Sequence, residues 1–403
     1  LAAVHNVLII ADYYCKIMFG KTVGQDVIDI LAETNIDEAC DFAATYFSPI
    51  LLISVLAGIA VFNILVYYSA KVLQRAKYVN ICLLISVTGF AIWGYMGYSF
   101  IALRNGMSIP QYHVFTRISY SMYITKLRAD RIKHLRVVAR SLECSQIGKM
   151  HTFVVVIGES HSVYHSQLYG YKTPNQPRLQ ELKEKGDLIV FSDVVSAHDH
   201  THGAMMSLFS MDSLTTNFEN EPMFPMCFKS AGYKTVLWDN QYLTGGINFL
   251  SDKELSQEMF DVRNQERMAY DEDFIKGLKI TDEPSLYIIH LMGQHYEFES
   301  RYPKSFANFD AKLYEGNEFA DGIAAYDNAT YYNDYVMCKL IDMFYDKDAC
   351  LIYISDHGEE VYDIDSDHGH GNSHTRNPNF QLRVPMYILP LPKFKENEPN
   401  LVE

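Results

Sequence analysis

Thiol pairs at metal or redox spacing are missing from this chain. Its seven cysteines (Cys15, Cys40, Cys82, Cys144, Cys227, Cys338 and Cys350) form no C-x-x-C and are odd in number. Neither a disulfide framework nor a zinc knuckle can be read from them, and they look like small apolar residues of the interior. Glycine and proline are scarce, 22 and 13 of 403 residues, which excludes collagen-like and low-complexity chains. Basic residues are in deficit too: 34 Lys and Arg against 49 Asp and Glu leave a net charge of −15. So acidic a chain is a poor partner for nucleic acid, whose phosphates must be neutralised. What is present is apolar residue, 48% of the total. The length corresponds to two or three domains of about 150 residues each, enough for a sizeable core.

Charge is also missing locally. From Phe42 to Ala70 and from Tyr78 to Leu103 there is no charged residue, and each run exceeds the roughly 20 residues that cross hydrocarbon as a helix. Two spans are expected, at about 49–68 and 79–101, in a membrane domain covering 1–103. The turn between them carries Lys71, Arg75 and Lys77 and no acid, whereas the segment before them is rich in Asp and Glu. The positive-inside rule then puts the turn in the cytoplasm and everything after Leu103 outside. The opening LAAVHNVLII reads as the tail of another apolar segment, so upstream spans are expected. Residues 104–150 hold nine Lys and Arg against Asp130 and Glu143, a charge of +7. With Tyr112, Phe115, Tyr120 and Tyr123 interleaved, the segment is expected to be a basic amphipathic linker lying on anionic headgroups.

After Met150 the texture becomes short β-rich runs, at Phe153–Ile157, Leu188–Val195, Thr235–Trp238, Leu286–Ile289, Leu351–Ile354 and Val384–Ile388, alternating with helix-like stretches such as Thr330–Tyr345. That alternation predicts an α/β domain over 151–403, with a largely parallel central sheet between helical layers. Ligands of such sheets gather beyond the carboxyl ends of the strands. There the sequence places Glu159; then His198, Asp199, His200, Thr201 and His202; then His290 and His295; then Asp356 and His357. Carboxylates and imidazoles at four strand ends are costly to bury unless something pairs with them. A shared divalent metal would do so, and mixed oxygen and imidazole donors without thiolate suit catalytic zinc, with manganese as second choice. Thr201 opens an apolar run to Met211 that reads as a helix. As an N-cap its role would be structural; beside a metal, at the amino end where amides face an incoming phosphate, it reads as a nucleophile.

The order Val156-Ile-Gly-Glu159-Ser, a Thr-opened helix, His290-Leu-Met-Gly-Gln-His295 ahead of Arg301-Tyr-Pro, Tyr326-Asp-Asn328, and Ser355-Asp-His-Gly-Glu-Glu360 resembles the bacterial phosphoethanolamine transferases. These belong to the alkaline phosphatase and sulfatase superfamily. The resemblance implies several membrane helices and a periplasmic alkaline-phosphatase-like α/β/α domain, in a multi-pass protein of a bacterial inner membrane. It implies a phosphatidylethanolamine donor, an envelope lipid or glycan acceptor such as lipid A or the lipopolysaccharide core, and a phospho-threonine intermediate. Residue by residue it makes Thr201 the nucleophile and Glu159, Thr201, Asp356 and His357 the ligands of Zn2+. His295 and His370, with His368, His290 and Asn328 as further candidates, would serve the substrate or a second metal. Three departures stand out. Ser196-Ala-His-Asp199 replaces a Ser-Cys-Gly-Thr, with Asp199 two residues before Thr201 as the competing nucleophile. Trp238-Asp-Asn-Gln241-Tyr is not followed by the family's lysine. The Cys/Ser-x-Pro-x-Arg context of formylglycine sulfatases is absent. A phosphoglycerol transferase of the same fold is the alternative enzyme, and a non-catalytic membrane sensor the alternative of another class.

Overall fold

The structure is a computed structural model and describes residues 114–146, 148–211, 222–241, 249–364, 368–371 and 377–401, with scattered positions before 114. The expected spans at 49–68 and 79–101 lie largely outside the described residues. Among the described residues no helix is long and apolar enough to cross a membrane. The chain divides into two compact units, Leu1–Asp130 and Arg131–Glu403.

In chain order the helices are α1 (Val114–Ser141), α2 (Pro177–Glu184), α3 (Thr201–Phe209), α4 (Phe224–Ser230), α5 (Lys253–Met259), α6 (Asp271–Lys276), α7 (Ala320–Phe344), α8 (Asn379–Leu382) and α9 (Pro392–Asn397). The strands are β1 (Thr152–Gly158), β2 (Ile189–Phe191), β3 (Lys234–Asp239), β4 (Val262–Arg263), β5 (Ser285–His290), β6 (Ala349–Ser355), β7 (Glu360–Val361), β8 (His368–Gly369) and β9 (Met386–Pro390). Among the described residues seven strands make one sheet in the order β2-β9-β6-β1-β5-β3-β4, and β7 pairs with β8 separately. β1 runs parallel to β5 and β6, and β3 parallel to β4 and β5. Among these strands β9 is the reversed one, antiparallel to β6 and β2. The expected α/β domain with a largely parallel sheet is what folds.

β1 sits in the middle because TFVVVIG is β-branched on both faces and a central parallel strand is covered on both. Val154 and Val156 point into a core with Tyr287, Ile289, Leu351 and Tyr353. α7 closes that face with Tyr332, Val336, Leu340 and Phe344, a stripe spaced by four. The opposite face of the sheet presents Leu237, Leu286 and Ile288 to Met205 and Phe209 of α3, Met226 of α4 and Leu255 and Met259 of α5. Helix, sheet and helix layers follow from this alternation.

Two expectations change. The run 188–195 forms a strand only over Ile189–Phe191, with Val195 making an isolated bridge to Arg383. The second half of the basic 104–150 segment belongs to the second unit, Arg131–Glu403, because Leu135 is fully buried in the second core. Beside it the Arg136 guanidinium holds Asp252 and Glu254 at 2.5 and 2.7 Å, and Arg140 holds Glu258 at 2.7 Å. Arg136 answers acids at the start of α5 and Arg140 an acid near its end.

Candidate active site

Strand register brings the site together. Ile157 at the end of β1 lies beside Ile354 of β6 and His290 of β5, and His290 lies beside Asp239 of β3. The residues that follow these ends therefore converge, as the crossing chain leaves a parallel sheet on one edge. Glu159 leaves β1 just before Ser160, whose backbone is in the left-handed region (φ 58°). Asp356 and His357 leave β6, and the Asp356 backbone amide donates to the Gly158 carbonyl at 3.0 Å.

Four donor atoms meet there. From His357 Nε2 it is 3.1 Å to Glu159 Oε1, 3.3 Å to Asp356 Oδ2 and 3.3 Å to Thr201 Oγ1. Thr201 Oγ1 donates to Glu159 Oε2 at 3.3 Å. Donors held tetrahedrally at zinc distances of ~2.0–2.1 Å stand about 3.3 Å apart, and the three distances from His357 Nε2 have that length. Asp356 Oδ1 is used by the amides of His357 (2.7 Å) and Ser160 (3.3 Å). Its Oδ2 is buried with no hydrogen-bond donor, as suits a metal ligand. Glu159, Thr201, Asp356 and His357 thus offer the donor chemistry that would suit a zinc ion, while the His and carboxylate residues whose ligand atoms all lie within 4.8 Å of one another are, among the described residues, Glu159, His357 and His370.

The electrostatics agree. Burial penalises a charge on Glu159, but the His357 imidazole beside it holds its carboxyl well below the usual range. Burial and the Glu159 carboxylate push Asp356 up to about 7. Burial works against a proton on His357, yet Asp356 and Glu159 outweigh it and push it up to about 10. Without a cation, the imidazolium is the counter-ion of the Glu159 carboxylate; a divalent ion would take over that task and would need the imidazole neutral.

Thr201 is the first residue of α3, and His200 takes the N-cap position. The possible capping role of Thr201 is therefore corrected: its hydroxyl is turned to Glu159 and His357 instead. Asp199 is used otherwise, its carboxylate beside His200 Nδ1 at 2.9 Å and its carbonyl accepting the Gly371 amide at 2.8 Å. Of the two later histidines, His370 is the one at the site. Its ring lies 4.1 Å from that of His357 and 5.9 Å from that of His295, and it falls with Glu159 and His357 in one cluster of possible ligands. His370 Nδ1 is 2.7 Å from Glu359 Oε2 and 3.4 Å from Ser160 Oγ. Burial pushes both His295 and His370 down to about 3. His368 instead stacks on Tyr362, 4.7 Å between centroids.

Two other candidates go elsewhere. His290 Nδ1 faces Asp239 Oδ1 at 3.1 Å, so this histidine ties two strand ends together. Asn328 is corrected to a scaffold residue: its carbonyl accepts the amides of Asn308 and Phe309, both at 2.8 Å, and its amide donates to the Phe309 carbonyl. Its polar groups are spent on holding a loop against α7.

Sequence reasoning passed over Ser160, Gln241, Asp271 and Glu359. Ser160 Oγ donates to Glu159 Oε1, and Gln241 Nε2 to Glu159 Oε2, each at 2.8 Å. Asp271 accepts the amides of Met292 and Gly293 at 2.9 and 3.0 Å. Gln241 lies two residues beyond β3, so the strand-end rule applied to β3 would have found it; Asp271 is at a helix start and carries no such signal.

Taken together, a helix opened by Thr201 and buried carboxylate and imidazole side chains at the strand ends of a doubly covered sheet are the arrangement of an alkaline-phosphatase-like α/β domain. The sulfatase family matches residues 151–401, and the chain belongs to that family. It is 26% identical over 421 residues to phosphoethanolamine transferase EptC of Escherichia coli strain K12, covering 96% of this chain and 72% of that one. The zinc complex of the periplasmic domain of E. coli EptC superposes with TM-score 0.55 and 28% identity, over 63% of this chain and 76% of that one. The Kdo(2)-lipid A phosphoethanolamine 7''-transferase of E. coli K12 is 27% identical over 62% of this chain and 46% of its own length. The integral membrane EptA of Neisseria meningitidis shares the fold over 98% of this chain and 77% of its own, TM-score 0.61 at 18% identity. The expected kinship with the phosphoethanolamine transferases of the alkaline phosphatase superfamily is met.

Proposed function

We propose that this chain transfers phosphoethanolamine from phosphatidylethanolamine to an envelope glycolipid, with lipid A or the lipopolysaccharide core as acceptor, through a covalent intermediate on Thr201. The observation that carries the proposal is the position of Thr201 Oγ1, 3.3 Å from both Glu159 Oε2 and His357 Nε2, on the first residue of a nine-residue helix. The first amides of a helix have no partner inside it, so the lipid phosphate docks against them with its charge at the favourable end of the helix dipole. A zinc ion held by Glu159, Thr201, Asp356 and His357 supplies Lewis-acid stabilisation of charge on the threonine and phosphoryl oxygens.

The hydroxyl proton of Thr201 is directed at Glu159 Oε2. The Thr201 Oγ–phosphorus bond forms while the phosphorus–diacylglycerol oxygen bond breaks, and diacylglycerol leaves carrying one proton in place of the one Thr201 lost. An acceptor hydroxyl or phosphate oxygen then attacks phosphorus, the Thr201 ester bond breaks, and the threonine recovers its proton. His295 and His370, kept neutral by burial, orient the phosphoryl group. The catalytic domain is assigned to the periplasmic face of a bacterial inner membrane, with the uncharged runs 49–68 and 79–101 as spans. Support comes from their charge flanks and the fold shared with an integral membrane protein over nearly the whole chain.

The test is mass spectrometry of the purified chain after incubation with phosphatidylethanolamine and with phosphatidylglycerol. A phosphoethanolamine adduct on Thr201, absent from Thr201→Ala, is expected. A glycerophosphoryl adduct would replace this function with phosphoglycerol transfer, and an adduct on Asp199 would move the nucleophile.

A further inference from the structure

Gln241 stands two residues beyond the last residue of β3, and its side chain crosses over the end of β5 to reach β1. Its Nε2 donates to the Leu291 carbonyl at 2.9 Å, just after β5, and to Glu159 Oε2 at 2.8 Å. Both partners are acceptors, so both amide hydrogens are committed and the orientation of the amide is settled by them. The residue is buried and carries no charge. Glu159 Oε2 is also the oxygen that faces the Thr201 hydroxyl, while Glu159 Oε1 takes Ser160 Oγ and lies beside His357 Nε2. Besides the Thr201 hydroxyl, the carboxylate is therefore gripped on each oxygen by a neutral donor at 2.8 Å, Ser160 on the histidine side and Gln241 on the nucleophile side.

We propose that Gln241 is a positioning residue that fixes the plane of the Glu159 carboxylate, and with it the placement of zinc relative to the Thr201 hydroxyl. This rests on the zinc reading above. A carboxylate with one oxygen released can turn about its last bond, and the donor spacing of the site is then lost. A neutral amide does this without offering a rival cation to the carboxylate, which a lysine would, and without adding a negative charge, which a glutamate would. Groups that orient metal ligands in this way typically change metal affinity ~10–100-fold when removed.

The experiment uses the full chain in detergent or lipid, with zinc affinity measured by chelator competition, unfolding of the metal-free protein by circular dichroism, and turnover on phosphatidylethanolamine. Gln241→Met keeps the shape and removes the donor; Gln241→Glu also adds charge. Both are expected to bind zinc ~10–100-fold more weakly, with lower kcat and a KM for lipid within about twofold, while Gln241→Asn recovers part of the affinity. Zinc affinity within twofold of the unaltered chain in both variants overturns the inference alone. So does loss of the metal-free fold in both, which would make Gln241 a clamp between strands. An unaltered chain that takes no zinc overturns the metal reading and this inference together.

Discussion

Replacing Gly293 with alanine tests whether the backbone around Glu159 has room to yield. Gly293 has φ +52°, and a Cβ built on it would stand 2.8 Å from the Glu159 carbonyl oxygen, 2.9 Å from its nitrogen and 3.3 Å from its Cβ. Two of those are closer than real Cβ contacts come, and both are to backbone. Neither side gives easily: the Gln294 amide donates to the Glu159 carbonyl at 3.0 Å, the Leu291 amide to the Ile157 carbonyl at 3.0 Å, and the Gly293 amide to Asp271 Oδ2. The left-handed backbone costs an alanine about 1–2 kcal/mol, and the overlap adds about 1–3 kcal/mol. A loss of roughly 2–5 kcal/mol follows, which at about 2–4 °C per kcal/mol is a fall in Tm of roughly 5–20 °C. Relief of the overlap moves Glu159, and a displacement near 1 Å at a reacting group costs on the order of 100-fold in rate. Thermal unfolding followed by circular dichroism, with zinc content and transfer measured on the folded fraction, checks both numbers. A Gly293→Ala chain with Tm within 1 °C of the parent and undiminished transfer would refute the close approach of Gly293 to the Glu159 backbone.

Leu135→Ala should destabilise the catalytic unit by about 2–5 kcal/mol, the cost of emptying a fully buried leucine position, whereas Arg136→Met should cost under about 1 kcal/mol because its ion pairs are partly exposed; urea unfolding of the two ranks them. His165 predicts a pH dependence: burial opposes its charge, but Asp327 and Asp363 outweigh it and push it up to about 9. A histidine raised in the folded state contributes stability that is fully present below its unfolded pKa near 6.5 and is lost as pH rises through about 9, on the order of 3 kcal/mol in all. His165→Gln should flatten that slope, and an unchanged slope in unfolding free energy between pH 6.5 and 9 would count against the assignment. His370→Ala should keep tightly bound zinc yet lose most turnover, while His368→Ala, removed from a stack on Tyr362, should lose little; metal analysis showing zinc loss in His370→Ala would place that imidazole among the ligands.

Local signals carried the domain and most of the site. Strands of β-branched residues ending in Gly158-Glu159, His290 and Ser355-Asp356-His357 are enough to predict a parallel sheet with its chemistry at the carboxyl edge, because strand propensity and burial are properties of short runs. Thr201 at the start of an apolar helix was legible for the same reason. Which of two nearby histidines faces the site was not, since His368 and His370 are both two residues or fewer from Gly369, and only the pairing of β7 with β8 turns one to Tyr362 and the other to Glu359. Asn328 shared a motif with site residues but its side chain is used by a loop twenty residues away in sequence, a partnership that no local pattern encodes. The basic segment 104–150 read as a surface helix because its Lys and Arg far outnumber its acids and alternate with aromatic residues, yet Leu135 is drawn into the core where α1 meets α5, and acids distant in sequence answer Arg136 and Arg140. Sequence by itself determined residue types and their periods; the tertiary structure decided which polar atoms share a neighbour, because hydrogen bonds and ion pairs are set by distances between strands and helices that meet only after the chain has packed.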